Sequence, residues 1–211
     1  MAYSFLDIAR TPSVVAAQHA NGSAELYGRT DISRDYTRFT PAEADFISKR
    51  DSFYLATVSE SGWPYVQHRG GQQGFLRLLD DKTLAFADYR GNRQYISLGN
   101  ATANNRVSLI LMDYPNRRRL KIYATLEVRA LDGDEALAGA LATPGYKAKA
   151  ERAILLHLEA FDWNCPQHIT PRFSEAELTQ ALEPLRMRME HLESENARLR
   201  ERLADSAKEA Q

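Results

Sequence analysis

From Ser52 to Leu131 the chain is cut into short apolar runs by turn-forming residues, and this rhythm restricts the fold more than any other feature. Ser52–Ser59 is rich in β-forming residues, and Ser61-Gly62 turns it into Trp63–His68. Phe75–Leu79 and Thr83–Ala87 flank Asp80-Asp81-Lys82, the pattern of a hairpin. Arg106–Met112 and Leu120–Leu131 read as buried strands. Ala153–Phe161 reads as the last strand, with helix open for its first half. Six or seven short strands with few helices predict a mainly β fold with flanking helices, in the form of a small antiparallel barrel.

Helix signals lie around these strands. Thr40-Pro41-Ala42-Glu43 combines a capping box with proline at the first helical position and predicts a helix over 41–50. Pro12 to Gln18 predicts a short helix ended by Asn21-Gly22. Ile96 to Ala101 predicts a helical turn, and Asp132 is placed to cap a helix running through Leu141.

The tail has a different period. Ser174-Glu175-Ala176-Glu177 is a second capping box. Leu178, Leu182, Leu185, Met189, Leu192, Asn196, Leu199 and Leu203 then recur at spacings of four and three. That is a heptad with Leu178, Leu185, Leu192 and Leu199 at d and the others at a. Asn196 at a favours a two-stranded parallel register, in which Arg188 meets Glu193 and Glu195 meets Arg200. Pro184 predicts a kink or restart, leaving a zipper from about 185 to 205. The other reading of the stripe is a single amphipathic helix lying on its own barrel.

With 211 residues, 44% of them hydrophobic, the chain holds one domain plus an appendage, or two small domains. A net charge of −1 gives no field to draw nucleic acid, and Arg117-Arg118-Arg119-Leu120-Lys121 reads as a solvated hairpin end. One cysteine excludes an internal disulfide and a cysteine-based zinc site. No apolar run reaches membrane-spanning length and the first residues lack a signal-peptide pattern, so a cytoplasmic location is expected.

Two regions could carry chemistry. Residues 161–173 (Phe-Asp-Trp-Asn-Cys-Pro-Gln-His-Ile-Thr-Pro-Arg-Phe) interleave rings, amides and prolines. Such a segment suits a wall against a flat polar heterocycle, or a rigid crossover that plugs a core. Cys165 fits a wall better than a nucleophile. Residues 65–94 place Arg69, followed by Gly70-Gly71, and Arg93 at strand ends. Guanidinium forks bind phosphate, and glycines let backbone N–H groups approach it, so both arginines are phosphate-anchor candidates or ordinary surface arginines. The glycines match neither a P-loop nor a dinucleotide fingerprint, and the five histidines show no metal-ligand spacing. His157, within an apolar strand, reads as structural.

The segment 52–131 resembles the flavin-binding split barrel of the pyridoxamine 5'-phosphate oxidase superfamily, with Gly-Trp-Pro-Tyr, the arginine-bearing strand end, the hairpin, Gly-Asn-Arg-Gln and Asn104-Asn105-Arg106-Val107-Ser108-Leu109 in order. Trp163-Asn164-Cys165-Pro166-Gln167-His168-Ile169 is similar to the C-terminal signature of the FMN-binding branch related to those oxidases. The resemblance spans roughly 35–173, and with the patterns on either side it divides the chain into an arm over 1–39, a split barrel over 40–173 and, as an addition to that barrel, a helical tail over 174–211. It implies homodimers with FMN at the subunit interface. Arg69 and Arg93 then hold the FMN phosphate, with Gln94 where the true oxidases have a lysine. Asp88 and Asn92 line the ribityl and phosphate side, His68 adjoins Arg69, and Arg119 falls near the flavin. Trp163, Asn164 and Gln167 come from the partner chain. The Arg-x-His ending of the true oxidases is absent, and a Gly-Gly-Gln-Gln-Gly insert lengthens the stretch between Pro64 and Leu76, so vitamin B6 oxidation is not implied.

The expected function is an FMN-dependent oxidoreductase acting on a small organic substrate, with a nicotinamide as one possible electron donor. His68 and His168 are the weak candidates for proton transfer. The alternative is a non-catalytic flavin- or haem-binding protein, His168 being the one axial ligand to name, whose tail recruits a partner.

Overall fold

The computed structural model describes residues 5–27, 37–163 and 166–209. The chain divides into two compact units, residues 1–169 and 170–211.

In the first unit, α1 (Phe5–Ala9) and α2 (Pro12–Ala20) precede α3 (Pro41–Ser48). The capping box of α3 forms as its sequence dictates: Ala42 N donates to Thr40 Oγ1 at 3.3 Å and Thr40 N to Glu43 Oε2 at 3.1 Å. The strands are β1 (Ser52–Val58), β2 (Pro64–Gly70), β3 (Arg77–Leu78) and β4 (Thr83–Tyr89), then β5 (Arg106–Asp113), β6 (Arg118–Arg129) and β7 (Ala150–Trp163). Between β4 and β5 lies α4 (Ile96–Ala103), and between β6 and β7 lies α5 (Glu135–Leu141). All strands join one antiparallel sheet in the order β2-β1-β5-β6-β7-β4-β3. The long pair β6 and β7 links its two halves, and register shifts at Tyr123/Ala124 and Asp88/Tyr89 bend it.

Alternation along the strands builds the core. In β5, Val107, Leu109 and Leu111 point inward; in β6, Leu120, Ile122, Ala124 and Leu126 do. They meet Phe53, Leu55, Phe86, Leu156 and Phe161, all at most 2% exposed. Fully burying a side chain of this size contributes about 1.5–3 kcal/mol.

Several expectations need correcting. The cap of α5 is Asp134, whose Oδ1 accepts from Leu137 N at 3.0 Å, because Gly133 (φ 81°) reverses the chain after Asp132. All of 150–163 is strand, since its first half finds partners on both β4 and β6. The glycine insert is no phosphate-cradling loop. Gly71 N donates to Asp51 O and Gly74 N to Arg50 O, so both amides are already used. The turn they make lowers Phe75 onto Phe53 and Phe86 in the core.

The second unit is one helix, α6 (Glu175–Glu209). Its capping box is present, with Glu177 N donating to Ser174 Oγ and Ser174 N to Glu177 Oε2. The restart expected at Pro184 does not occur. Proline there removes one N–H donor toward the carbonyl four residues back, and the helix continues on either side. No described helix is long and apolar enough to cross a membrane.

Candidate functional site

The carboxyl-terminal ends of β2 and β4 and the start of α4 converge on a small recess. Strand alternation sends Tyr65, Gln67 and Arg69 to one face of β2, and all three line it. Asp88 and Tyr89 come from the end of β4, and Gly91 to Gln94 from the following loop. Tyr95 to Leu98 bring the first turn of α4. The cavity encloses about 70 Å³.

Its charges are organised. Arg69 Nη1 donates to Asp88 Oδ1 at 2.9 Å, with the two side chains 20% and 13% exposed. Asp88 faces Arg152 across the β4–β7 pair, and Arg152 Nε approaches its other carboxylate oxygen at 3.7 Å. Arg152 also stacks on the Tyr95 ring, 5.1 Å from its centroid. Asp88 is therefore a clamp that fixes the Arg69 guanidinium against the Phe86 ring, 5.7 Å away. This leaves Arg69 Nε buried with no acceptor among the described residues. Arg77 Nε is the other such atom, and it does not line the recess.

The rest of the wall is rich in donors. Helix α4 starts without a side-chain cap, so the N–H groups of its first turn lack side-chain acceptors and its positive dipole end borders the cavity. Arg93 is exposed and has no ion pair or hydrogen bond among the described residues. Arg93 (φ 63°) and Tyr95 (φ 51°) are both left-handed without being glycine, at a cost of about 1–2 kcal/mol each. Asn92 holds this turn: its Oδ1 accepts from Gln94 N at 3.2 Å, and its Nδ2 donates to Gln94 Oε1 at 3.4 Å. Two guanidinium groups, one of them exposed and without an ion pair among the described residues, an uncapped helix start and local strain make this corner chemically suited to an anion.

Arg69, Asp88, Asn92, Arg93 and Gln94 thus share one cavity. The other described residues singled out from the sequence do not line it. His68 points to the opposite face of β2, edge-on to Tyr54 with centroids 5.6 Å apart, and borders a neighbouring recess with Arg69, Phe75 and Tyr146. Arg119 lies on β6 opposite Met112. Trp163 ends β7, where its Nε1 donates to Glu43 Oε1 at 2.6 Å, its ring meets Phe46 edge-on, and the Arg118 guanidinium lies over both rings. Gln167 and His168 are exposed in the turn closed by Ile169 N and Pro166 O, and Asn164 falls outside the described residues. His157 is half-exposed and hydrogen-bonded to Glu127 at 2.7 Å, which holds the Glu127 carboxyl below its ordinary range.

Sequence reasoning missed Tyr65, Gln67, Ser97 and Arg152. The first two carried a signal, since they alternate with Arg69 along one strand. Ser97, whose Oγ donates to Gln67 Oε1 at 2.8 Å, and Arg152 became visible only with the packing of α4 and the pairing of β7.

The architecture is that of an antiparallel split barrel with a basic corner at its strand ends. Residues 39–159 match the family model described as pyridoxamine 5'-phosphate oxidase, and the chain belongs to that family. Similar solved structures include a candidate pyridoxamine 5'-phosphate oxidase from Lactobacillus delbrueckii (23% identity, 62% of this chain and 97% of that one, TM-score 0.46). An FMN-binding protein from Syntrophomonas wolfei shows 14% identity over 72% and 95% of the chains, with a TM-score of 0.46. HupZ from Group A Streptococcus shows 17% identity over 64% and 99%, with a TM-score of 0.45. No curated protein matches the chain.

Proposed function

We propose that the barrel binds FMN through its phosphate and that the protein is an FMN-dependent oxidoreductase acting on a small organic substrate. The observation that carries this reading is the meeting of Arg69, the exposed Arg93 and the uncapped start of α4 on one recess. A phosphate dianion supplies the acceptors these donors lack. Asp88 and Arg152 hold Arg69 in place, and Asn92 fixes the turn that presents Arg93. When bound, FMN supplies the electron transfer, and the protein supplies placement and electrostatics.

A cavity of about 70 Å³ takes a phosphate but no three-ring heterocycle, so the ring system lies outside it. In this reading a second copy of the chain provides the cover, with Trp163, Asn164 and Gln167 as its contribution and Arg119 nearby. An unpartnered apolar patch of Tyr54, Val58, Trp63 and Val66, each at least 38% exposed, supports such a dimer. His68 and His168 are the imidazoles left for moving a proton, a nicotinamide is the first electron donor to test, and the reducing cytoplasm suits the lone cysteine.

The test is titration of apo-protein with FMN and with riboflavin. Arg93→Ala should weaken FMN binding by roughly tenfold, about 1.4 kcal/mol, and leave riboflavin binding unchanged. Equal FMN affinity in the variant refutes the phosphate anchor. A single dominant Soret band from the purified protein, in place of the twin flavin bands, refutes the cofactor.

A further inference from the structure

The apolar stripe on α6 is exposed along the helix. Leu178, Leu182, Leu185, Met189, Leu192, Leu199 and Leu203 are 46–71% exposed, and Asn196 among them is exposed as well. Seven large apolar side chains in water along one helix face are a liability unless something covers them. We propose that a second copy of this chain covers them, and that the two α6 helices associate in parallel and in register as a two-stranded coiled coil.

The spacing fits without interruption. With Leu182, Met189, Asn196 and Leu203 at a and Leu178, Leu185, Leu192 and Leu199 at d, the seam crosses the whole helix with no slip. Pro184 falls at c, away from the seam, and the helix is continuous through it. The hand of the stripe also fits, since a strict seven-residue repeat winds two helices around each other.

Charge complementarity favours another copy as the partner, but charge alone leaves the direction open. In the parallel arrangement each g residue faces the e residue five places on in the partner helix. Arg188 then meets Glu193 and Glu195 meets Arg200, each twice by symmetry. An antiparallel arrangement covering the same stripe pairs position 182 with 199, 189 with 192, 196 with 185, and 203 with 178. It sets Arg188 beside Glu195 and Arg186 beside Glu193, which are also opposite in sign.

Asn196 decides between them. In a parallel pair, a faces a, so Asn196 meets its own counterpart and the two amides hydrogen-bond to each other. In any antiparallel pair, a faces d, and every d residue from 178 to 199 is leucine. The buried amide then has no partner, which costs about 1–3 kcal/mol for each of the two copies.

The experiment uses the full chain carrying Cys165→Ser, so that any introduced thiol is the only one. With Leu203→Cys added, mild oxidation should convert most of the protein to a disulfide-linked dimer, read on a non-reducing gel. An equal mixture of Leu203→Cys and Leu178→Cys chains should give few mixed dimers. Preferential 203–178 cross-linking, or no cross-linking at all, overturns the proposal, as does a trimer or tetramer of tails by sedimentation of the cross-linked sample.

A charge swap gives a second reading that does not disturb the seam. Arg188→Glu should lower the 203–203 cross-link yield several-fold, and adding Glu193→Arg should restore it. In the antiparallel arrangement the double variant instead sets two carboxylates together at positions 188 and 195, and two guanidinium groups together at positions 186 and 193. A double variant that cross-links no better than the single one therefore counts against the parallel pair.

Discussion

Replacing Gly71 by alanine tests whether the glycine-rich insert is a packing device. A Cβ built on Gly71 lies 2.7 Å from Cγ and 2.8 Å from Cβ of Phe75, where carbon atoms rest at about 3.5–4.0 Å. Phe75 cannot retreat freely. Its ring is stacked on Phe53 at 5.7 Å and meets Phe86 edge-on at 6.3 Å, and those two are 1% and 2% exposed. The backbone is tied as well, through Gly71 N to Asp51 O and Phe75 N to Gln72 O, both at 2.9 Å. Overpacking of this kind costs about 1–3 kcal/mol. Loss of unfolded-state entropy returns about 0.4–1 kcal/mol. The net expectation is a loss of about 1–2 kcal/mol, read as a lower urea midpoint at constant slope, and a Tm lower by roughly 2–8 °C. Gly139 in α5 is the control: nothing lies within 4 Å of its added Cβ, so Gly139→Ala should stabilise by about 0.5–1 kcal/mol. Equal or greater stability of Gly71→Ala, or the same sign for both variants, would refute the packing argument. Because Arg69 rests on Phe86, Gly71→Ala should also weaken FMN binding, whereas Gly139→Ala should not.

Two other outcomes are expected. Trp163→Phe keeps a ring against Phe46 and Arg118 but removes the Nε1–H donor from fully buried Glu43, and should cost about 1.5–3 kcal/mol in denaturant unfolding; an unchanged midpoint would show that another donor replaces it. Glu127 is held below its ordinary value of 4.5 first by the hydrogen bond from His157 and then by Arg129. A depressed carboxyl contributes stability above its unfolded pKa and loses it as pH falls through the folded one, so wild-type Tm should fall more steeply than that of His157→Ala as pH drops below about 4.5. Parallel Tm–pH curves would remove the pair from the balance.

The division between legible and illegible features follows from the range of the forces involved. Capping boxes at Thr40–Glu43 and Ser174–Glu177 act over three residues, so the pattern alone announced them. Strand alternation acts over two, and it placed the inward faces of β5 and β6. Arg93 was identifiable because loop arginines beside a glycine and an asparagine have few structural duties. The pairing of Asp88 with Arg152 is not legible in the sequence, because Arg152 is 64 positions away and meets it only through the β4–β7 pairing. The hydrogen bond from Trp163 Nε1 to Glu43 is not legible either, because the carboxylate lies 120 residues earlier in the chain. The glycine insert was misread for the same reason, since what it approaches is the Phe75 ring.

The amino-acid order by itself therefore determined most of the strands, the inward faces of β5 and β6, the two capping boxes and the seven-residue apolar repeat of the tail. All of these arise from contacts between near neighbours in the chain, where periodicity is the physical cause. Tertiary structure alone decided which donors stay unsatisfied. The N–H on Arg69 Nε has no acceptor among the described residues, while Asp88 holds one end of the guanidinium and Phe86 supports its face. These groups lie far apart in sequence, and only the folded sheet brings their charges within reach of each other.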